Sequence, residues 1–343
     1  MKPDAQLRKI QLTGGSTYIV SLPKSWVKSV GLKSGDYVQV IPQPDESLLI
    51  VPREIRKKEE GLSEVFIDAS SVDSPEGVVR ELIACYLVGY DVIRVKLGRK
   101  AAKYRTRIKN AMKCKLIGAE TMEESADYMV IRCLLGWMEY PVKDALNRMY
   151  IMALSMHEDA MKALKDGNLS LAKDVVQRDD EVDRLYFFIV RQLKMAVENK
   201  FMLEKIGFSD ARDCLGYRLI AKSIERIADH ASRMAQIIPA IDRDSINNEI
   251  IALMSKMSDI SVNVCQNAMK ALYQLNIKQA NQAIVKSNEI IKLEKEIIER
   301  ILHTKLSIMT TIGLRLILES IRRIAEYGTD IAEIAMNLAK KQT

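Results

Sequence analysis

HEDAMKAL at 157–164 returns as CQNAMKAL at 265–272, an offset of 108, and SIERIADHASRMAQII at 223–238 returns as SIRRIAEYGTDIAEIA at 320–335, an offset of 97. A chain that spells the same amphipathic pattern twice in the same order reads as two copies of one unit with a shared helix order. Everything after Pro141 has helical periodicity, so the copies read as two three-helix units. The spacing predicts helices over about 141–165, 169–203 and 209–238, with Pro239 closing the first unit, then over about 245–275, 277–303 and 305–340. The offsets differ because the second copy has a shorter connection between its second and third helices. With aromatics at 6% and seventeen methionines, the cores must be built from Leu, Ile, Val, Met and Ala, a composition that favours packed helices.

The rest of the chain follows other periods. Residues 1–54 read as strand, strand, short helix, strand, strand: Gly14-Gly15 turns into TYIVSL, Pro23 opens a helix ending at Gly31, and KSGD leads into YVQVI. About fifty residues bury too little apolar surface to be secure alone, so a second copy is expected to complete this domain. The charged run RKKEE at 56–60 marks a linker. Strand and helix patterns then alternate over 60–139, giving a small α/β or α+β middle domain: FIDAS, a helix from Pro75, DVIRVKL, a helix over about 101–113, and closing strands in KLIGAETM and ADYMVIRCLL. Arg94 to Lys115 carries ten Lys or Arg and no acid, either a solvated basic helix or a patch for an acidic partner; Tyr104 alone offers little stacking surface for nucleic acid. The fold class is therefore multidomain, with a strand-rich N-terminal domain, the mixed middle domain, and helical units at 141–239 and 244–340.

Two carboxylate pairs interrupt the helical faces. On a wheel of about 100° per residue, Ile220, Ile224, Ile227, Ala231, Met234 and Ile238 form a buried stripe. Glu225 and Asp229 fall together on one shoulder of it, and His230 lies on the other. On the preceding helix, with Val182, Leu185, Ile189 and Leu193 as its stripe, Asp179 and Asp183 share a shoulder one turn apart. Like charges at this spacing cost an isolated helix roughly 0.2–0.5 kcal/mol and call for a compensating cation. Arg226, Arg233 and Arg184 could supply it as a surface ladder of ion pairs; a metal held by four carboxylates from two neighbouring helices is the other reading.

The remaining composition limits the functional classes. Five cysteines, none within about twenty residues of its neighbours, form neither a paired-Cys zinc site nor a disulfide framework and fit a reducing cytoplasm. No apolar run reaches the length of a membrane span, and the N-terminus lacks a leader pattern, which predicts a chain neither exported nor membrane-spanning. The formal charge of +7 permits an acidic partner without requiring one. With no Gly-rich phosphate loop, no HExxH and no nucleophile-and-base pairing, the sequence does not read as an enzyme.

ERIADHA at 225–231 and DDEVDRL at 179–185 resemble the two signatures of the PhoU family of phosphate-uptake regulators, and the resemblance covers about 200 residues. It implies two three-helix repeats and ligand roles for Asp179, Asp183, Glu225 and Asp229 toward a divalent or iron-type metal cluster of Fe, Zn, Mg or Mn. The second repeat departs from the pattern: Ser287 and Ile291 stand at the first motif's acids and Arg322 at the second motif's glutamate, leaving Glu326. A cluster is expected in the first repeat only. LPKSWVKSVGLKSGDYVQV is similar to the LP-helix-GL-GD-strand pattern of the AbrB/SpoVT/MazE swapped-hairpin domains. That resemblance implies a homodimer formed through the N-terminal domain and DNA contacts from Arg8, Lys9, Lys24 and Lys28, although Ser16, Thr17 and Tyr18 follow the turn where such domains often carry a basic residue. Together the resemblances imply a cytoplasmic, dimeric, DNA-binding regulator of phosphate uptake. The alternative is an adaptor that does not bind DNA and docks on a phosphate-transporter ATPase subunit or a sensor kinase.

Overall fold

The structure is a computed structural model that describes residues 6–42, 46–52, 62–98, 101–134 and 141–340. The RKKEE run at 56–60 lies outside the described residues. The chain divides into two compact units, Met1–Leu62 and Ser63–Thr343.

The first unit is two antiparallel hairpins separated by a helical turn and a half. β1 (Gln11–Thr13) pairs with β2 (Thr17–Ile19), α1 spans Lys24–Ser29, and β3 (Val38–Pro42) pairs with β4 (Leu48–Pro52). Gly14 and Gly15 make the first turn at positive φ, a conformation that side chains disfavour. The Asp36 carboxylate accepts from the Lys33 amide at 2.7 Å and closes the turn between α1 and β3. Among the described residues of this unit none is buried: Tyr18 stays 74% exposed and Leu48 63%. Among the described residues, the apolar side chains of these strands have no inner layer to pack against.

The second unit opens with a four-stranded sheet in the order β5-β6-β8-β7, formed by β5 (Glu64–Asp68), β6 (Val92–Lys96), β7 (Ala119–Glu124) and β8 (Tyr128–Cys133). β5 and β6 run parallel and the other pairs antiparallel. α2 (Pro75–Val88) and α3 (Ala101–Lys115) connect them and pack on the inner face, enclosing Ile67, Leu82, Ile93, Val95, Ile108 and Ile131. The expected strand FIDAS stops at Asp68, whose carboxylate accepts from the Ser70 amide and turns the next three residues into a 3-10 turn; of KLIG, Lys115 ends α3 and LIG precedes β7 as a loop. Tyr104 is buried, its hydroxyl donating to the Val72 carbonyl at 2.8 Å.

α4 (Val142–Asp166), α5 (Leu169–Glu198) and α7 (Asp213–Ile237) form the first three-helix repeat; α8 (Asn248–Gln274), α9 (Ile277–Leu302) and α10 (Ile308–Lys340) form the second. The expected 169–203 helix breaks at Asn199, which turns extended and accepts from the Met202 amide, starting the short α6 (Lys200–Lys205). Contacts of α7 with α10 and of α4 with α8 join the repeats, and one continuous core runs through all six long helices. Every residue of both sequence-derived stripes is buried. At the α4–α8 seam the buried His157 shares a 2.8 Å hydrogen bond with Ser258, and burial lowers its pKa to about 4.

The repeats also match in how their first helices end. Gly167 and Leu275, at the 108-residue offset, both adopt left-handed conformations, with φ of 63° and 51°. Each is followed by an asparagine, Asn168 or Asn276, whose side chain caps the next helix. A Cβ at Gly167 would meet Arg243 Cγ at an ordinary 3.7 Å, so a side chain there is opposed by the backbone alone. Gly167→Ala is expected to cost about 1 kcal/mol, and Leu275→Gly to recover a similar strain in the second repeat. Denaturant midpoints of the two variants should move in opposite directions from wild type.

Candidate metal centre

Ligand atoms of Asp183, Glu225 and Asp229 lie within 4.8 Å of one another at the seam between α5 and α7. Close packing of the two apolar stripes brings the shoulders of these helices together. Glu225 is only 8% exposed, deeper than its wheel angle implies, because α5 covers it. Asp183 and Asp229 are half-buried. Asp179 lies beside the three and outside the closest group, and the charges of Asp229 and Asp183 act on it.

The electrostatics are those of crowded anions. Burial, followed by repulsion from Asp229 and Asp183, pushes the Asp179 carboxyl up to about 6. Burial also raises Glu225, against the opposing hydrogen bond of Lys222, and raises Asp229, against the attraction of Lys222, Arg226 and Lys115. Lys222 pairs with Glu225 Oε1, one turn away on the same helix, while its ammonium sits 5.1 Å from the Tyr186 ring. Arg226 lies 3.5 Å from Asp229 and 3.8 Å from Glu225, so it, rather than Arg233, serves these acids. Glu225 Oε2 is buried and makes no hydrogen bond.

Sequence reasoning missed Lys115, the last residue of α3, whose Nζ donates to Asp183 Oδ2 at 2.9 Å from 68 positions away. The only signal was its place at the end of the acid-free basic run. Much of that run is consumed by pairing: Arg105 and Lys109 with Glu124 at 2.8 and 2.5 Å, and Arg107 with Glu76 at 3.1 Å. His230 stands apart from the carboxylates, as its wheel position requires, and packs on the Tyr327 ring of α10 at 5.8 Å.

The corresponding place in the second repeat holds a different arrangement. Arg322 pairs with Glu294 at 3.3 Å and with Glu326, and Arg315 reaches Glu294 at 3.1 Å. Glu294 aligns with Tyr186 and Arg322 with Glu225, so a guanidinium fills the place of a carboxylate.

Three carboxylates with one buried, hydrogen-bond-free oxygen fit a divalent cation that prefers hard oxygen donors. Asp183, Glu225 and Asp229 are the residues that would hold it, with Asp179 beside them.

The helical region is a duplicated three-helix fold with a carboxylate cluster in one repeat and a guanidinium in the corresponding place of the other. The PhoU domain matches residues 146–238 and 254–335, about half of the chain, and the chain belongs to the PhoU family. Residues 11–61 match the bacterial antitoxin family described as antidote-toxin recognition MazE. Among similar proteins is the phosphate-specific transport system accessory protein PhoU homolog 1 of Thermotoga maritima, 22% identical over 204 residues, or 56% of this chain and 83% of that one. A homolog of the same accessory protein in Zymomonas mobilis is 25% identical over 179 residues, or 51% of this chain and 73% of that one. The crystal structure of the phosphate transport system regulatory protein PhoU from Streptococcus pneumoniae shares the fold at a TM-score of 0.51 and 18% identity, covering 57% of this chain and 92% of that one.

Asp179 provides a test of the crowding. Its carboxyl is raised from the ordinary 3.8 to about 6, so ionising it in the metal-free fold opposes stability above pH 6 and has no effect once pH falls below the unfolded value. Asp179→Asn should stabilise the metal-free protein at pH 7 by on the order of 1 kcal/mol after allowance for solvent screening. Thermal unfolding with chelator across pH 4 to 7 should show that gain shrinking toward pH 4.

Proposed function

We propose that this chain is a cytoplasmic regulator of phosphate uptake whose N-terminal domain dimerises and binds DNA and whose helical repeats sense a divalent cation. Membership of the PhoU family carries the phosphate half of this reading; its relatives are named as accessory proteins of phosphate-specific transport systems. Among the described residues no helix is long and apolar enough to cross a membrane. The division of labour follows four domains, at 1–54, 60–139, 141–239 and 244–340.

The DNA half rests on the N-terminal hairpins. Arg8, Lys9, Lys24 and Lys28 are all exposed, and the last two project from α1 one turn apart. Exposed cations on a compact strand-rich frame suit contacts to phosphates, which fix register and give salt-dependent affinity. The apolar faces of both hairpins need a second copy, and two copies would present these cations twice, as a two-fold operator requires. In the first helical repeat, the cation's contribution is charge neutralisation at the α5–α7 seam, with Asp183, Glu225 and Asp229 holding it.

A second reading is favoured by the names of the relatives, accessory proteins of phosphate-specific transport systems: the helical repeats act as an adaptor on the phosphate transporter's ATPase subunit or a sensor kinase, and the N-terminal domain only dimerises. Gel shifts on the chain's own promoter separate the two. The regulator should bind at low salt, and Lys24→Ala and Lys28→Ala, each removing two cations from the dimer, should each weaken binding and reduce the slope of log affinity against log salt by about two. Absence of binding at low salt leaves the adaptor.

A further inference from the structure

The cations around the carboxylate centre differ in where they are anchored. Lys222 and Arg226 belong to α7 and ride with the acids they neutralise. Lys115 comes from α3, in the sheet-bearing part of the unit, and reaches across to α5 to hold Asp183. Its ammonium sits among Asp183, Asp180 and Asp179; burial works against its charge, but these acids outweigh burial and raise its pKa.

The same interface has a second tie that does not involve the centre. Arg191 of α5 is 7% exposed; it donates to the carbonyls of Tyr86 at 2.5 Å and Gly89 at 3.1 Å, capping the C-terminal end of α2, and stacks over the Tyr86 ring. Phe187 of α5 packs against the cores of both parts. The sheet-bearing part therefore stays docked whether or not Lys115 keeps its carboxylate.

A cation that takes Asp183 as a ligand competes with the Lys115 ammonium for the same oxygens, since a carboxylate cannot serve both at full strength and two cations side by side repel. We propose that Lys115 is a tethered competitor for the divalent cation: metal binding displaces its ammonium from Asp183 and frees the last turn of α3, while Arg191 and Phe187 hold the rest of the interface. The inference rests on the carboxylates being a cation site. Its consequence is reciprocal: whatever loosens the end of α3 raises cation affinity, and the cation loosens α3 by the same factor.

The test uses the full chain and Mn2+ alone. Calorimetric titration should show Lys115→Met binding Mn2+ at least tenfold more tightly than wild type at unchanged stoichiometry. Lys115→Arg, which keeps the charge, should stay within about threefold of wild type, and Asp183→Asn should abolish binding. Hydrogen exchange of wild type should quicken on Mn2+ addition in residues 109–116, with no change in 82–89. Equal affinity of wild type and Lys115→Met would sink the competitor role and leave the cation site standing. No Mn2+ binding by either protein would overturn the cation site and the competitor together.

Discussion

Burying carboxylates at a helix seam is the constraint around which the second unit is arranged. Carboxylate oxygens within 4.8 Å of one another repel by roughly 3 kcal/mol per pair of full charges at an effective dielectric near 20. Packing energy from the α5 and α7 stripes holds the shoulders together despite this, and three cations offset it. Lys222 and Arg226 do so locally, and Lys115 does so by drawing the end of α3 onto α5. The basic run of the middle region thus has an internal explanation for much of its charge: Glu76, Glu124 and Asp183 take four of its cations.

The two units meet opposite deficits. The helical repeats bury nearly all their apolar stripe and carry an excess of buried charge, whereas the N-terminal hairpins carry exposed cations and leave their apolar strands uncovered. A hairpin pair with Tyr18, Val40 and Leu48 in solvent gains most from a copy of itself, because identical strands supply matching apolar rows. The proposed cation site in one unit and the proposed self-association of the other would each answer a deficit of its own unit.

Much of this was legible in the residues. The stripes through Ile224 and Val182 proved buried throughout, and the repeat offsets located matching turns at Gly167 and Leu275. A helical wheel also separated His230 from the acids, because an angle about one axis depends only on local spacing. It could not give the depth of Glu225, which depends on what α5 lays over it. Nor could local pattern find Lys115, whose partner is set by how the sheet-bearing part docks on α5. The break at Asn199 escaped because AVENKFMLEK holds no Gly or Pro; an asparagine side chain capping Met202 stops the helix there. Asp179 shares Asp183's face yet lies outside the closest group of carboxylates, a distinction of a few ångströms that spacing does not carry.

The second repeat shows what a permanent answer to the same charge problem looks like. There Arg322 sits on the helix that carries Glu326 and pairs with Glu294 across the seam, with Arg315 adding a second guanidinium. A planar guanidinium that is always charged and serves two carboxylates from within the repeat closes the site to any other cation. Lysine is the opposite choice: a strongly hydrated point charge on a flexible stem, with one partner oxygen in this fold and solvent within reach. It can leave at modest cost. Duplication therefore left one seam neutralised by guanidinium groups from within the repeat and one whose counter-ions include a lysine from another part of the unit. Under the proposed competition, a change at that seam would be carried into α3, and a change in the second repeat would have no such lever.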